Sequence, residues 1–308
     1  MKNFKYVFGP VPSRRLGRSL GVSPIPEKTC NYSCVYCQLG RTNKMTNTRR
    51  EFYPLADILS EVKKSLEAGV PCDVISIVGE GEPTLYLRLG ELIAGIKKLT
   101  DKPVAVITNG ALLWDEKLRQ ELMGADILLP SLDAFDVESF KKIDRPHGSI
   151  SYLDTYQGLV DFSREFTGQL WLEIMLVEGM NTSEEQLSAI AQMAKRIRSD
   201  RVYINTPVRP PAEGFVRAAD PEVIAKAAEL MGGISIDKLT DGSFYSDIKD
   251  GFEAIITIAR RHPMNRFEIE SFLKSRNDKD AEEIFSRLEA DSRVTVLNYK
   301  GIITYRVN

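Results

Sequence analysis

The sequence predicts an α/β protein built on a parallel sheet, and three observations predict it. Short apolar runs recur between residues 19 and 206, separated by stretches whose apolar residues repeat at three- and four-residue steps. The runs are nearly continuous in their apolar character, the pattern of strands covered on both faces by helices. Near residue 245 the alternation stops, and the remaining residues read as short helices and a hairpin.

Taken in order, residues 19–22 are the first strand. A helix over 54–68 follows, with Leu55, Ile58, Leu59, Val62 and Leu66 on one face and Gly69 ending it. Strand 73–78 and helix 86–99 come next. Strands 104–108, 127–132, 170–177 and 202–206 are spaced by helices near 115–123, 137–143, 151–165 and 183–198. Thr182 and Glu185 open the last of these as a capping box, in which each side chain satisfies a backbone donor near the other. Six strand–helix units result. Helices over 252–261, 266–274 and 280–290, then a hairpin over 294–307 turning at Lys300 and Gly301, complete the chain. These features predict a first domain at 1–245 and a small winged-helix-like domain at 246–308. Ten Lys or Arg face nine Asp or Glu over 252–308, so the electrostatic footprint of a strong DNA binder is missing. Nucleic-acid contact, peptide docking and structural support all stay open for this domain.

With 308 residues and 43% hydrophobic content, the chain can bury one large core and a small second one. No apolar run approaches the ~18 residues of a membrane span. Four cysteines, three of them within eight positions, cannot form a disulfide framework for a chain of this size, and no apolar secretory segment precedes them. A reducing, cytoplasmic setting is expected. Net charge is −2, but residues 1–50 hold ten Lys or Arg against the single acid Glu27. A basic N-terminal part fits a landing surface for an acidic electron donor, contact with nucleic-acid phosphates, or a solvated face.

The chemistry concentrates in Cys30-Asn-Tyr-Ser-Cys34-Val-Tyr-Cys37. Three thiols in one short loop can hold a metal centre, and an iron–sulfur cubane takes four thiolates, so three leave one iron open to a non-protein ligand. A closed zinc site needs a fourth ligand, which only Cys72 could supply among the cysteines. Cys72, just before an apolar strand, reads otherwise as a buried, inert thiol.

This C-x3-C-x-aromatic-C spacing, with Tyr36 in the aromatic place, resembles the signature of the radical SAM superfamily. The run Phe8-Gly-Pro-Val-Pro-Ser-Arg-Arg-Leu-Gly17 before it is similar to an uncharacterised branch related to the tRNA wyosine-forming radical enzymes. The resemblance implies a partial (β/α)6 barrel of the TIM-like kind, open on one side. It also implies a [4Fe-4S] cluster on Cys30, Cys34 and Cys37, with S-adenosylmethionine chelating the open iron. In that family one electron cleaves the sulfonium to methionine and a 5'-deoxyadenosyl radical, which abstracts hydrogen from the substrate, while the protein binds and orients the cofactors.

Barrel enzymes place functional groups at the C-terminal ends of their strands. The second strand runs into Val78-Gly-Glu-Gly-Glu-Pro-Thr84. The family's Gly-Gly-Glu-Pro-like motif, which holds the SAM amino group, matches here at Gly81, Glu82 and Pro83, with Glu80 in place of the first glycine. Thr108 and Asn109 end the third strand, where Asn109-Gly110 also reads as a simple turn. Ser131 and Asp133 share one face at the end of the fourth. Glu173 is the lone ionisable residue of the fifth strand and needs a partner or a pocket. The sixth offers Asn205 within the strand and Arg209 just after it, where the resemblance implies adenine and substrate, and Arg145 lies in the loop Asp144-Arg-Pro-His147, which is equally a surface loop. The resemblance implies that Tyr36, Thr108, Asn109, Ser131, Asp133, Glu173, Asn205 and Arg145 lie around SAM.

No cysteine precedes Cys30 and none follows Cys72, so neither the second cluster of the wyosine-forming enzymes nor an auxiliary-cluster extension is expected. The sequence reads as a one-cluster radical SAM enzyme with a flavodoxin or ferredoxin-type electron donor and an RNA or protein substrate. A small-molecule radical reaction is the first alternative. The second is a metal or iron–sulfur redox sensor that binds DNA.

Overall fold

The computed structural model describes residues 4–236, 244–246, 248–278 and 280–307. One open sheet runs in the spatial order Val7–Ser13, Gly17–Val22, Val74–Ile77, Val104–Thr108, Ile127–Pro130, Gln169–Met175, Arg201–Asn205 and Ile234–Ser235. Spatial order follows chain order. Every neighbouring pair is parallel except the first, where Val7–Ser13 runs antiparallel to Gly17–Val22. All six strands expected from the sequence are present. The two edge strands were not foreseen, because Gly9, Pro10 and Pro12 demote the first run to a turn and the last strand has only two residues.

The strands are buried on both faces, which is why they read as continuous apolar runs. Leu20, Ile75, Val106, Leu128, Leu172 and Ile204 face the helices, packing with Ile58, Val62, Leu92, Ile96, Phe162 and Ile190. Each fully buried side chain of this kind contributes roughly 1.5–3 kcal/mol. Val74, Ala105, Leu129, Trp171 and Tyr203 cluster on the opposite face.

Three local expectations need correction. The helix foreseen at 86–99 is shorter, Leu89–Lys97, and a tight 3-10 turn, Pro83–Leu85, precedes it, capped by Glu82, which accepts from the Thr84 backbone. The capping box belongs to Ser183 and Gln186, one residue later than Thr182 and Glu185. Thr182 instead accepts from the Gly179 amide at 3.0 Å, which holds the preceding loop. Finally, Pro221–Met231 forms an additional helix that periodicity alone did not single out.

After the sheet, helices Gly251–Arg261, Arg266–Ser275 and Ala281–Ala290 surround a small sheet of Met264–Asn265, Ile302–Val307 and Val294–Tyr299. The hairpin turns at Lys300 and Gly301, both with positive φ (53° and 76°), the geometry of a tight two-residue hairpin turn. Phe244, Phe252, Ile255, Phe272, Leu288 and Tyr305 give this part its own core. Residues 237–243, just before the boundary expected at 245/246, lie outside the described residues.

The C-terminal helices are joined to the sheet by buried charge. Arg209, expected near the cofactor, donates to both Glu268 oxygens at 2.9 and 2.7 Å and to the Pro263 carbonyl at 2.5 Å. Both members of the pair are 8% exposed. Among the described residues, no helix is long and apolar enough to cross a membrane.

Candidate active site

The cysteine loop is fixed at both ends. Thr29 and Cys30 pair in parallel with Lys44 and Met45, and the Ser33 and Val35 amides donate to the carbonyls of Asp144 and Ile143 at 3.0 and 2.9 Å. The loop therefore sits on the C-terminus of helix Val137–Ile143. Cys30, Cys34 and Cys37 line one cavity of about 300 Å³ together with Tyr36, Gly81, Glu173 and Asn205.

Burial raises the pKa of all three thiols. For Cys34 the next cause is the Asp144 carboxylate, to which its thiol donates at 3.7 Å. Buried thiols beside carboxylates become thiolates readily only when a cation binds them, so this donor set suits a cationic metal–sulfur core. Among the described residues, no three His, Cys, Asp or Glu side chains stand already gathered at ligating spacing. Cys72 is 2% exposed in the main core and does not line the cavity. It precedes strand Val74–Ile77, whereas Gly79, after that strand, is at the cavity. The whole strand separates Cys72 from the other thiols, so it cannot close the site as a fourth ligand.

The turn after that strand is bound to the cysteine loop. A Cβ on Gly81 would stand 1.8 Å from the Thr29 carbonyl oxygen, and the Glu82 amide donates to that same oxygen at 3.1 Å. Only glycine permits this approach. The Glu82 carboxylate points inward. It accepts from the Thr84 amide and hydroxyl at 2.9 and 2.6 Å, the Thr108 hydroxyl at 2.7 Å and the Asn109 amide at 2.8 Å. Burial pushes its pKa up against those donors. Glu82 thus ties the ends of two strands together, with Thr108 and Asn109 as its partners.

Asn109 also donates to the Asn31 side chain at 2.7 Å, and its amide nitrogen lies 3.9 Å from Cys30 Sγ. A chain of hydrogen bonds therefore runs from Glu82 to the first cysteine. Tyr36 donates its hydroxyl to Asp133, which also accepts from the Met175 amide at 2.7 Å. Burial pushes Asp133 up to about 6.

The expected residues do not all meet in one place. Asn109, Ser131 and Asp133 line a second, smaller cavity of about 30 Å³, and Tyr32 stands between it and the first. Thr108, Glu82 and Pro83 are buried and line neither. Glu173 is ion-paired with Arg15 and accepts from Asn205 at 2.8 Å, so it has a partner and still faces the cavity. Arg145 does not line the cavity. Its guanidinium donates to Glu213 at 2.5 Å, and Glu213 also takes a bidentate pair from Arg41 at 2.8 and 2.7 Å.

Sequence reasoning passed over Asn31, Asp144 and Arg15. Asn31 is fully buried inside the cysteine loop, and its position between two thiol-bearing turns was the one available signal. Asp144 was noted only as the neighbour of Arg145, and nothing local marks Arg15 as the partner of Glu173.

The sequence model of the radical SAM superfamily matches residues 25–194. A Brachyspira hyodysenteriae protein called GTPase Obg is 35% identical over 309 residues, covering 99% of this chain. The match spans only 45% of that relative's length. A UPF0026 protein of Methanocaldococcus jannaschii is 33% identical over 309 residues, covering 98% of this chain and 95% of its own. Among solved structures, TYW1 with a lysine-pyruvate adduct bound superposes with a TM-score of 0.51 at 20% identity, covering 74% of this chain and 78% of its own. At that identity the likeness is one of fold.

Proposed function

Because the chain belongs to the radical SAM superfamily and is a radical SAM enzyme, we propose that Cys30, Cys34 and Cys37 hold one [4Fe-4S] cluster in the main cavity. A cluster bound there would supply the electron for reductive cleavage of S-adenosylmethionine, and with it the radical hydrogen abstraction from a substrate. The observation that carries this reading is the joint placement of three cavity-lining thiols and the Gly81–Glu82 turn, hydrogen-bonded to the residue before Cys30.

In this reading the chain's own residues position and shield. Backbone groups at Gly81 receive the methionine amino group, and Glu82 fixes that backbone through Thr84, Thr108 and Asn109. Tyr36 flanks the cluster and is held by Asp133. Glu173 and Asn205 bind the cofactor from the opposite wall. The sheet is then a partial (β/α)6 barrel ending near residue 245, and the C-terminal part is a winged-helix-like domain at 246–308. The electron donor is of flavodoxin or ferredoxin type, drawn to the basic N-terminal fifty residues. The substrate is RNA or protein, which the open sheet can admit.

Anaerobic reconstitution tests this. Iron–sulfur absorbance, SAM binding and dithionite-dependent release of 5'-deoxyadenosine are expected. Stoichiometric zinc with no affinity for SAM would remove the reading. Transfer of deuterium from labelled RNA or peptide pools into 5'-deoxyadenosine would then identify the substrate class.

A further inference from the structure

The three thiols of the main cavity do not meet the same charge. Next to burial, the group that raises the pKa of Cys30 most is the Glu82 carboxylate, and for Cys34 it is Asp144. At Cys37 burial is opposed instead, by the Leu39 amide and then by the cations Arg306 and Lys28. The cysteine loop is therefore polarised, with its positive end at the third thiol.

Two segments from opposite ends of the chain bring those cations together. Gly40 closes the turn after Cys37, with its amide donating to the Cys37 carbonyl at 3.1 Å and its φ at 89°. A Cβ at Gly40 would stand 3.8 Å from both Lys28 Nζ and the guanidinium carbon of Arg306. Lys28 lines the main cavity beside Cys37 and Gly40. Arg306 arrives on strand Ile302–Val307, is half-buried, and donates to a neutral acceptor, the Pro211 carbonyl, at 3.4 Å. Among the described residues neither cation is paired with a carboxylate, whereas Arg41, the residue after Gly40, is answered by Glu213. Two like charges flanking one residue repel each other, so their approach favours an anion between them and the cavity. The Cys37 thiolate and the centre it would hold supply that anion.

We propose that Lys28 and Arg306 set the reduction potential of the cluster held by Cys30, Cys34 and Cys37, by stabilising the negative charge that the cluster gains on reduction. This inference rests on the radical reading above. One electron passes from an external reductant, which is oxidised, to the cluster, which is reduced, and neither cation forms or breaks a covalent bond. Arg306 thereby makes the C-terminal sheet part of the redox centre, although that sheet supplies no ligand.

The full-length reconstituted protein, without SAM, is poised anaerobically with titanium(III) citrate and redox dyes, and the reduced fraction is read from the electron paramagnetic resonance signal of the one-electron-reduced cluster. Arg306→Gln and Lys28→Gln should each lower the ratio of reduced to oxidised cluster about tenfold at a fixed potential, a downward shift of about 59 mV for one electron. Arg306→Lys keeps the charge and should restore the wild-type ratio. Lys300→Gln removes an exposed charge from the same hairpin, about 20 Å along the strand and beyond the screening length of ~8 Å, and should leave the ratio unchanged. Iron content and thermal melts confirm that each variant is loaded and folded. An unchanged ratio in both glutamine variants overturns the proposal, as does an equal loss in Arg306→Gln and Arg306→Lys, which would assign the effect to packing. A wild-type protein that takes up no iron–sulfur cluster would overturn the radical reading and this proposal with it, whereas a normal cluster indifferent to both cations overturns the proposal alone.

Discussion

The carbonyl oxygen of Thr29 and the α-carbon of Gly81 meet so closely that no side chain fits between them, a Cβ being placed 1.8 Å from that oxygen. Two segments about fifty residues apart in the sequence are thereby pressed together, one carrying the first cysteine and the other the inward-facing Glu82. The contact makes the cysteine loop and the strand-end turn a single unit.

Gly81→Ala should separate that unit. The extra methyl forces the backbone apart, an overpacking that costs about 1–3 kcal/mol in a close-packed interior. The Glu82 amide then loses its 3.1 Å bond to Thr29. The expected outcome is a lower melting temperature and poor retention of iron after reconstitution, read by iron assay and visible absorbance. Wild-type iron content with an unchanged melt would show that the close approach is relieved without cost.

Cys34→Ala should abolish iron binding, because the remaining two thiols cannot hold a cubane. Cys72→Ser should leave iron content at the wild-type level while lowering stability by about 1–3 kcal/mol, since it introduces a hydroxyl into an apolar core. Loss of iron on substituting Cys72 would revive the closed four-thiol site.

The strands were legible in the sequence because both of their faces are buried, so Ile75, Val106, Leu172 and Ile204 stand in unbroken apolar runs. The cysteine loop was legible because three thiols at short spacing have few structural uses. What stayed hidden depends on approach in space. Glu80 looked like a departure from a glycine motif, and its partner Arg261 comes from a helix about 180 residues further on. Arg209 follows a strand end and does line the main cavity, but its pairing with Glu268, 59 residues further on, had no local signal. Asp133 and Ser131 lie at the foreseen strand end, yet Tyr32 divides their small cavity from the main one. Strand alternation gives a side chain's direction, whereas the partner it reaches is set by folds of the chain that no local pattern encodes.

The Arg209–Glu268 pair should be the fastening whose loss is felt most between the C-terminal helices and the sheet. Each side chain is 8% exposed, so removing either leaves a buried charge unmatched, a penalty of about 3–5 kcal/mol. Glu268→Ala should therefore destabilise strongly, read as a lower midpoint of urea unfolding. A double change, Arg209→Met with Glu268→Leu, should recover much of the stability, because well-packed apolar groups avoid the desolvation of both ions. Equal damage from the single and double changes would show that the charges themselves are required.

Asp133 should make stability depend on pH. In the unfolded chain its carboxyl titrates near 3.9, whereas burial in the fold pushes it up to about 6. Below pH ~4 the group is protonated in both states and adds no penalty. Between about 4 and 6 the folded chain keeps a proton that the unfolded chain has released, so the contribution of this residue falls as pH rises, reaching a loss of roughly 3 kcal/mol above pH 6. Asp133→Asn keeps an oxygen that can accept from the Met175 amide and turns its NH2 toward the Tyr36 hydroxyl, which can accept from it, and the side chain cannot ionise. Urea unfolding at pH 4.5 and 7.5 should show the variant gaining on the wild type by about 1–3 kcal/mol as pH rises. If the two proteins keep a constant difference across that interval, the carboxyl is ionised in the fold throughout, and the Tyr36 contact holds an anion rather than a proton.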